Sequence, residues 1–175
     1  MVSLIKKMLF VLFIALSFNV TANAPDTGWV MERDEANTID WMVDASYGKK
    51  LSRNKAAKIL QQVNIMSNQK LLDRNMVLAV MATESGFRQN VRSSGNAKGL
   101  MQVIEYWHRD KIKGRNIYAL DVNIDVGTSI LAEYRHRAKG DERRALKMYR
   151  GWVDTKRYIR KIESKKEVLD FIALS

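Results

Sequence analysis

The sequence is notable first for the residues that it lacks. Its 175 residues include no cysteine, a single proline at Pro25 and only two histidines. Without cysteine the chain has neither a disulfide bond nor a thiol that a lipid could modify. The two histidines, His108 and His136, are isolated and have no paired spacing typical of a metal site. We therefore expect no metal and no other cofactor.

The first 24 residues have the three parts of a signal peptide. Two lysines precede an apolar run from Met8 to Phe18, and Ala22-Asn23-Ala24 follows. A retained membrane anchor is the alternative, because the uncharged stretch approaches the ~20 residues that a spanning helix needs. Polar residues at positions 19, 21 and 23 interrupt that stretch. We therefore predict cleavage after Ala24 and export to the periplasm or the extracellular space.

A large positive charge remains after the leader is removed. The formal net charge is +11, and loss of Lys6 and Lys7 lowers it to +9 for a predicted single domain over residues 25–175. A basic surface suits nucleic acid, an anionic membrane or the acidic polymers of a cell wall. Export and the even spread of the cations along the chain disfavour nucleic acid. A solvated basic surface that only aids solubility remains an open alternative.

The hydrophobic pattern predicts a mainly α-helical fold. Apolar residues recur at helical spacing over most of the chain, and Ser52, Asp73 and Asp141 are predicted N-caps. Asp121 or Asn123 is predicted to open a further helix. The pattern continues to the C-terminal part of the chain through Tyr158, Ile159 and Ile162.

The helical periodicity lapses between Ser85 and Leu120. This stretch contains four glycines, and only Leu100 to Ile104 is dense enough in apolar residues to predict a short strand. Irregular segments of this kind lie at the surface and often surround a functional site. We expect a short irregular or β segment near the active site.

Glu84 is the strongest candidate for a catalytic side chain. An almost wholly apolar segment, Met76 to Ala82, leads directly into it. The C-terminal end of a helix disfavours a negative charge by ~0.3 to 1 kcal/mol, whereas burial shifts a carboxyl pKa by up to ~3 to 5 units. Both effects raise the pKa. A carboxyl that stays protonated near neutral pH can act as a general acid.

Three motifs in the correct order resemble the lytic transglycosylase domain of the goose-lysozyme-like clan. The first consists of Glu84-Ser85-Gly86-Phe87, then Ser93, then Ala97-Lys98-Gly99-Leu100-Met101-Gln102. Leu120-Asp121-Val122-Asn123-Ile124, with Gly127 and Leu131, is similar to the Asn-Ile helix of the family. Ala145 to Gly151 is similar to its Tyr-Asn-Gly segment. The resemblance covers residues 71–162.

The resemblance implies a lysozyme-like fold and action on peptidoglycan glycan strands. Glu84 alone would cleave the β-1,4 bond between N-acetylmuramic acid and N-acetylglucosamine, first as acid and then as base, leaving 1,6-anhydromuramic ends. Four other carboxylates fit loop, capping or surface roles better than a second catalytic role: Glu105, Asp110, Asp121 and Asp125. A monomer is expected, with cell-envelope assembly proteins as possible partners. The alternatives are a goose-type muramidase, which hydrolyses the same polymer, and a non-catalytic wall-binding module.

Seven further residues are implied to bind substrate or to complete the site: Ser85, Ser93, Gly99, Met101, Gln102, Asn123 and Tyr149. The Tyr149 hydroxyl is suited to a hydrogen bond that tunes Glu84, and Met101 to an apolar floor. Trp107 could stack on a sugar ring or serve as a buried anchor. Two positions depart from the family pattern, since Asn96 replaces a glycine and Arg150 replaces an asparagine.

Overall fold

Seven α-helices make up most of the protein in its computed structural model, which describes residues 33–151 and 154–174. Their bounds are α1 Arg33–Ala45, α2 Arg53–Lys70, α3 Arg74–Glu84, α4 Arg109–Ile112, α5 Leu120–Arg137, α6 Glu142–Arg150 and α7 Thr155–Ile172. Short 3-10 helices cover Tyr47–Lys49 and Glu105–Trp107. The predicted signal peptide lies outside the described residues. The described residues belong to one compact unit, and none of their helices is long and apolar enough to cross a membrane.

The three predicted N-caps are confirmed. The side chain of Ser52 accepts a hydrogen bond from the backbone N–H of Lys55, and Asp141 accepts one from Arg144. Asp73 accepts from both free N–H groups at positions 75 and 76. Each cap satisfies donors that have no partner inside the helix, a contribution of ~1 kcal/mol.

The prediction that Asp121 or Asn123 caps α5 is wrong. The helix begins at Leu120, and Ala119 is the extended residue before it, with no side-chain cap. Asp121 lies in the first turn, where its negative charge interacts favourably with the positive end of the helix dipole. Asn123 is buried inside the helix and uses its amide to hold a neighbouring loop.

Helix α3 runs through the centre of the molecule. Every residue from Asn75 to Ala82 is buried, as expected for a helix that is apolar on all sides. It packs mainly against α7 and α2. Glu84 is its last residue, so the core of the protein fixes the position of this carboxyl group.

A two-stranded antiparallel sheet lies in the irregular middle of the chain. Ala97–Lys98 pairs with Val103–Ile104, so the second strand is shorter than the predicted Leu100–Ile104. Leu100 and Met101 form the turn instead, and both are fully buried. Burying these two side chains against the helices outweighs extending the strand by three residues.

A close contact between this turn and α5 depends on glycine. A Cβ atom added at Gly127 would lie 2.4 Å from the sulfur of Met101, well inside van der Waals contact. The missing side chain therefore lets α5 approach the turn. Gly127 is also one of the residues that carries the resemblance to the transglycosylase domain.

Candidate active site

A cleft of about 490 Å³ opens at the C-terminal end of α3. Three parts of the chain surround it: the end of α3, the segment 93–104, and the α6–α7 region. The described side chains that line it are Thr83, Glu84, Ser93, Ala97, Gln102, Ile104, Tyr149, Arg150, Asp154, Arg157, Tyr158 and Lys161. Glu84 therefore sits where a buried helix meets a solvent-accessible groove.

The carboxyl group of Glu84 is held by a tyrosine from α7. The Tyr158 hydroxyl donates a hydrogen bond of 2.6 Å to Glu84 Oε1. Tyr158 is buried, and burial together with the adjacent carboxylate raises the pKa of its hydroxyl well above the ordinary value. The tyrosine is therefore a hydrogen-bond donor and does not itself titrate near neutral pH.

Burial is the main influence on the pKa of Glu84, and it raises that pKa. The hydrogen bond from Tyr158 and the positive charge of Arg150 act in the opposite direction and lower it. Because burial has the largest effect, the pKa of Glu84 lies above the ordinary value of a glutamate. This is the direction that the sequence predicted, and a raised pKa is what a general acid at neutral pH requires.

Arg150 reaches the same site from the end of α6. Its guanidinium carbon lies 5.4 Å from the centre of the Tyr158 ring, within the range of a cation–π contact. The side chain is exposed and lines the cleft. The residue that departs from the family pattern therefore contacts the partner of the proposed acid.

The predicted hydrogen bond between Tyr149 and Glu84 is not formed. The Tyr149 hydroxyl donates to the backbone oxygen of Met101 at 2.8 Å, and Tyr149 also lines the cleft. Tyr158 occupies the role instead. In the sequence Tyr158 is an ordinary member of an apolar helical stripe. Its hydroxyl contacts Glu84 because α7 packs beside α3, which the sequence alone does not show.

The backbone of Met101 is fixed from both sides. Its N–H donates to Asn123 Oδ1 at 2.8 Å, and its carbonyl accepts from Tyr149. The Asn123 amide group also donates to the backbone oxygens of Lys98 at 3.0 Å and Ile117 at 2.8 Å. Asn123 and Tyr149 therefore hold the turn that carries Gln102 into the cleft.

Four of the predicted substrate-binding residues lie behind the cleft and do not line it: Ser85, Gly99, Met101 and Asn123. Asn123 has no exposed surface, so its predicted contact with substrate is replaced by a scaffold role. Ser85 is also buried, and its hydroxyl donates to the Met81 carbonyl. Met101 is fully buried, in line with an apolar floor.

Gly99 is required by the same scaffold. Its φ is +77°, a backbone conformation that favours glycine, and an added Cβ would lie 2.2 Å from Asn123 Nδ2. Asn96 also adopts the left-handed conformation, with φ of +65°. Asparagine tolerates this conformation better than most residues, which accounts for its presence where the family usually has glycine.

Ser93 and Gln102 do reach the cleft, as predicted. The Ser93 hydroxyl accepts a hydrogen bond from the N–H of Ala97 at 3.0 Å, and Gln102 Nε2 donates to the Gly99 carbonyl at 3.0 Å. Both side chains thus shape the loop that they belong to. Each group keeps further hydrogen-bonding capacity, and both residues line the cleft.

One acidic residue of the region was not predicted. Asp154 is a second carboxylate in the cleft and immediately precedes α7. Trp107 is 69% exposed and packs edge-to-face on Tyr106, which rules out the buried-anchor alternative. Within the part of the chain that the structure describes, no three His, Asp or Glu residues are grouped in a way that could hold a metal ion.

The helical fold and this cleft define a lysozyme-like protein in which a glutamate of raised pKa faces the cleft. The chain belongs to the family described as "Transglycosylase SLT domain", whose pattern matches residues 61–171. That match extends beyond both ends of the segment in which the motifs were found. It confirms the family that the sequence indicated, and the seven helices of the described residues confirm the mainly α-helical fold.

Curated relatives agree with this assignment. The chain is 40% identical over 88 residues to membrane-bound lytic murein transglycosylase C of Sodalis glossinidius, covering 45% of this chain and 25% of that protein. It is 40% identical over 87 residues to the protein of the same name from Actinobacillus succinogenes, covering 44% and 24%. The chain thus spans about a quarter of the length of these relatives.

A solved structure has the same fold. An inactive mutant of lytic transglycosylase Slt from Pseudomonas aeruginosa aligns with a TM-score of 0.59 and 16% sequence identity, covering 62% of this chain and 23% of that chain. At this identity the similarity shows the fold alone.

Proposed function

We propose that the protein is a peptidoglycan lytic transglycosylase in which Glu84 is both the acid and the base. The observation that carries the proposal is the position of Glu84 at the end of a buried helix, facing a cleft, with its pKa raised by burial. Family membership supports a transglycosylase role. The catalytic assignment rests on the chemistry of the cleft.

The first step is transfer of a proton to the leaving group. Protonated Glu84 donates to the oxygen of the β-1,4 bond between N-acetylmuramic acid and N-acetylglucosamine, and the bond from the muramic C1 to that oxygen breaks. The hydrogen bond from Tyr158 then stabilises the carboxylate that forms, because it favours the ionised state.

The second step closes the ring within the sugar. The 6-hydroxyl oxygen of the same muramic residue bonds to C1 and loses its proton to the Glu84 carboxylate. The product carries a 1,6-anhydro bond, Glu84 returns to its protonated form, and no water is consumed. A single carboxyl group therefore suffices, whereas ordinary glycosidases use two.

Ser93, Gln102 and Tyr149 are the side chains that we assign to the substrate from the predicted set. All three line the cleft, and the first two have polar atoms that can accept or donate further hydrogen bonds. Asn123, Gly99 and Met101 contribute by holding the loop in place.

Replacement of Glu84 by glutamine tests the catalytic role. Gln keeps the shape of the side chain and can still accept from Tyr158, but it has no proton to donate as an acid. We expect the E84Q variant to stop clearing a suspension of purified sacculi while still sedimenting with them. Undiminished clearing by E84Q would refute the assignment, and a wild-type protein that binds without clearing would favour the non-catalytic wall-binding module.

Asp154 provides a specific reason to test a muramidase as the second candidate. A hydrolase of the inverting kind needs a second carboxylate to activate water, and Asp154 lines the same cleft as Glu84. Its φ of 44° is in the left-handed region, which asparagine also tolerates, so Asp154→Asn keeps the backbone. We expect this variant to retain activity, whereas a loss as large as that of E84Q would favour hydrolysis.

We also propose that the protein acts in the cell envelope, because its proposed substrate, peptidoglycan, lies there. The two relatives named above are described as membrane-bound. The predicted signal peptide fits this location, with cleavage after Ala24. Fractionation of cells that express the full chain, followed by N-terminal sequencing, tests both points, since an intact Met1 in the cytoplasmic fraction would contradict export.

A further inference from the structure

The charges in the cleft are concentrated on one side. Arg150, Arg157 and Lys161 come from α6 and α7, and we call these three residues the cationic side of the cleft. The described lining residues of the segment 93–104 carry no charge. With Asp154 included, the lining residues of the α6–α7 region still contribute an excess of two positive charges.

The cationic side is available to a ligand. All three side chains are exposed, and none forms an ion pair with a carboxylate in the described residues. Several other cations of the protein are paired, such as Arg143 with Glu163. Arg157 and Lys161 are four residues apart on α7 and so project from the same face of the helix.

The proposed substrate carries anionic groups on one of its two sugars only. The 3-O-lactyl group of muramic acid ends in a carboxylate when it is bare, or in a peptide stem that has carboxylates of its own. N-acetylglucosamine has no charged group. A cleft with one cationic side and one neutral side can therefore distinguish the two sugars and fix the direction in which a strand lies.

We propose that Arg157 and Lys161, together with Arg150, form a binding site for the carboxylates borne by the lactyl group of muramic acid. The inference rests on the proposed function, because it takes the occupant of the cleft to be a glycan strand. The three cations lie at an exposed edge of the cleft. An ion pair between one of them and a carboxylate of the ligand would therefore be modest in strength and sensitive to salt.

The test compares binding of four soluble strand preparations to the E84Q variant, so that no turnover is needed. The first pair consists of strands with intact peptide stems and the same strands after their carboxyl groups have been converted to carboxamides. The second pair consists of strands stripped of stems by an amidase, with the bare lactyl group as the carboxylate or as the carboxamide. The first pair tests stem carboxylates and the second tests the lactyl carboxylate.

The matched variants carry the same change in charge at two places on α7. The test variant combines E84Q with Arg157→Gln and Lys161→Gln, and the control combines it with Lys156→Gln and Arg160→Gln. Lys156 and Arg160 are also exposed on α7 but do not line the cleft. Any effect of overall net charge is therefore the same in both variants.

We expect E84Q to bind the carboxylate form of at least one pair about five-fold more tightly than its carboxamide form, the upper range for an exposed ion pair. The test variant should lose this preference and the control should keep it. Equal binding of both forms in both pairs, or an equal loss in the control, would overturn the inference. Failure of the proposed function is detected separately, as absence of turnover by the protein with native Glu84.

Discussion

The hydroxyl of Tyr158 lies 2.6 Å from Glu84 Oε1, although the two residues are 74 positions apart in the sequence. The contact joins the end of the central helix α3 to the first turns of α7. It places a neutral donor, itself resistant to ionisation, on the carboxyl group that we assign as acid and base. The ionisation of Glu84 is thus set by burial, by Tyr158 and by Arg150 together.

Replacement of Tyr158 by phenylalanine should change both the rate and its pH dependence. The hydrogen bond lowers the pKa of Glu84, so its loss raises that pKa further and keeps the acid protonated to higher pH. The alkaline limb of the kcat/KM profile should therefore move to higher pH. The maximal rate should fall about ten-fold, a part of the ~10² to 10⁴ that a positioned acid contributes.

Tyr134→Phe is the matched control for this experiment. Tyr134 packs edge-to-face on Tyr149 but does not line the cleft. Its loss of a hydroxyl should leave the pH profile in place. An alkaline limb of Y158F that stays at the wild-type position, or moves to lower pH, would show that the contact does not control Glu84.

Arg150 should act on the same limb through its charge. Its positive charge lowers the pKa of Glu84, so Arg150→Gln should move the alkaline limb of kcat/KM to higher pH. Arg150→Lys keeps a cation in the cleft and should leave the limb closer to the wild-type position. Because Arg150 is exposed, added salt should reduce the difference between the wild type and R150Q. A difference that persists undiminished at high salt would exclude a charge effect.

Asn123→Leu should destabilise the protein. The substitution leaves the Met101 N–H and the carbonyls of Lys98 and Ile117 without their partner in a buried site. Each unsatisfied group costs ~1 to 3 kcal/mol, so we expect the free energy of unfolding to fall by about 3 kcal/mol. Urea denaturation followed by circular dichroism measures this change. Stability equal to that of the wild type would contradict the scaffold role of Asn123.

Glu84→Gln should stabilise the folded protein at neutral pH. The folded state raises the pKa of Glu84, so between the unfolded and the folded pKa the native state holds a proton that the unfolded state releases. Stability is therefore lost as pH rises through that window, and glutamine does not incur the loss. We expect E84Q to gain about 1 kcal/mol at neutral pH, a typical size for relieving a strained functional site.

The same comparison at about pH 4 provides the control. At this pH, close to the ordinary pKa of a glutamate, about half or more of the carboxyl is protonated even in the unfolded state, so the difference between E84Q and the wild type should shrink. Thermal unfolding of both proteins at the two pH values measures it. An E84Q protein that is less stable than the wild type at neutral pH would mean that burial of the Glu84 carboxylate does not destabilise the folded state.

Local sequence signals predicted the candidate catalytic carboxylate and the described helices except α4, a short helix within the stretch predicted to be irregular. The caps at Ser52, Asp73 and Asp141 depend on bonds within four residues, and the burial of α3 follows from its apolar composition. The contacts of the site depend instead on packing between distant segments. Nothing near Tyr158 in the sequence indicates Glu84 as its partner.

The motif residues that proved to be buried illustrate the same limit. Asn123 belongs to a motif of the family, but a motif does not distinguish a residue that contacts the ligand from one that holds a loop in place. Only the placement of α5 against the turn at Met101 resolves this. Asp154 belongs to no motif, so the sequence gives no sign of its place in the cleft, which depends on the position of α7.

Product analysis of digested sacculi tests the central claim most directly. Wild-type protein and E84Q would be incubated with purified sacculi, and the new muramic ends would be identified by mass spectrometry. We predict 1,6-anhydromuramic ends, lighter than reducing ends by one water, for the wild type and no new ends for E84Q. Predominantly reducing ends from the wild type would contradict a mechanism in which Glu84 and the sugar's own hydroxyl complete the reaction.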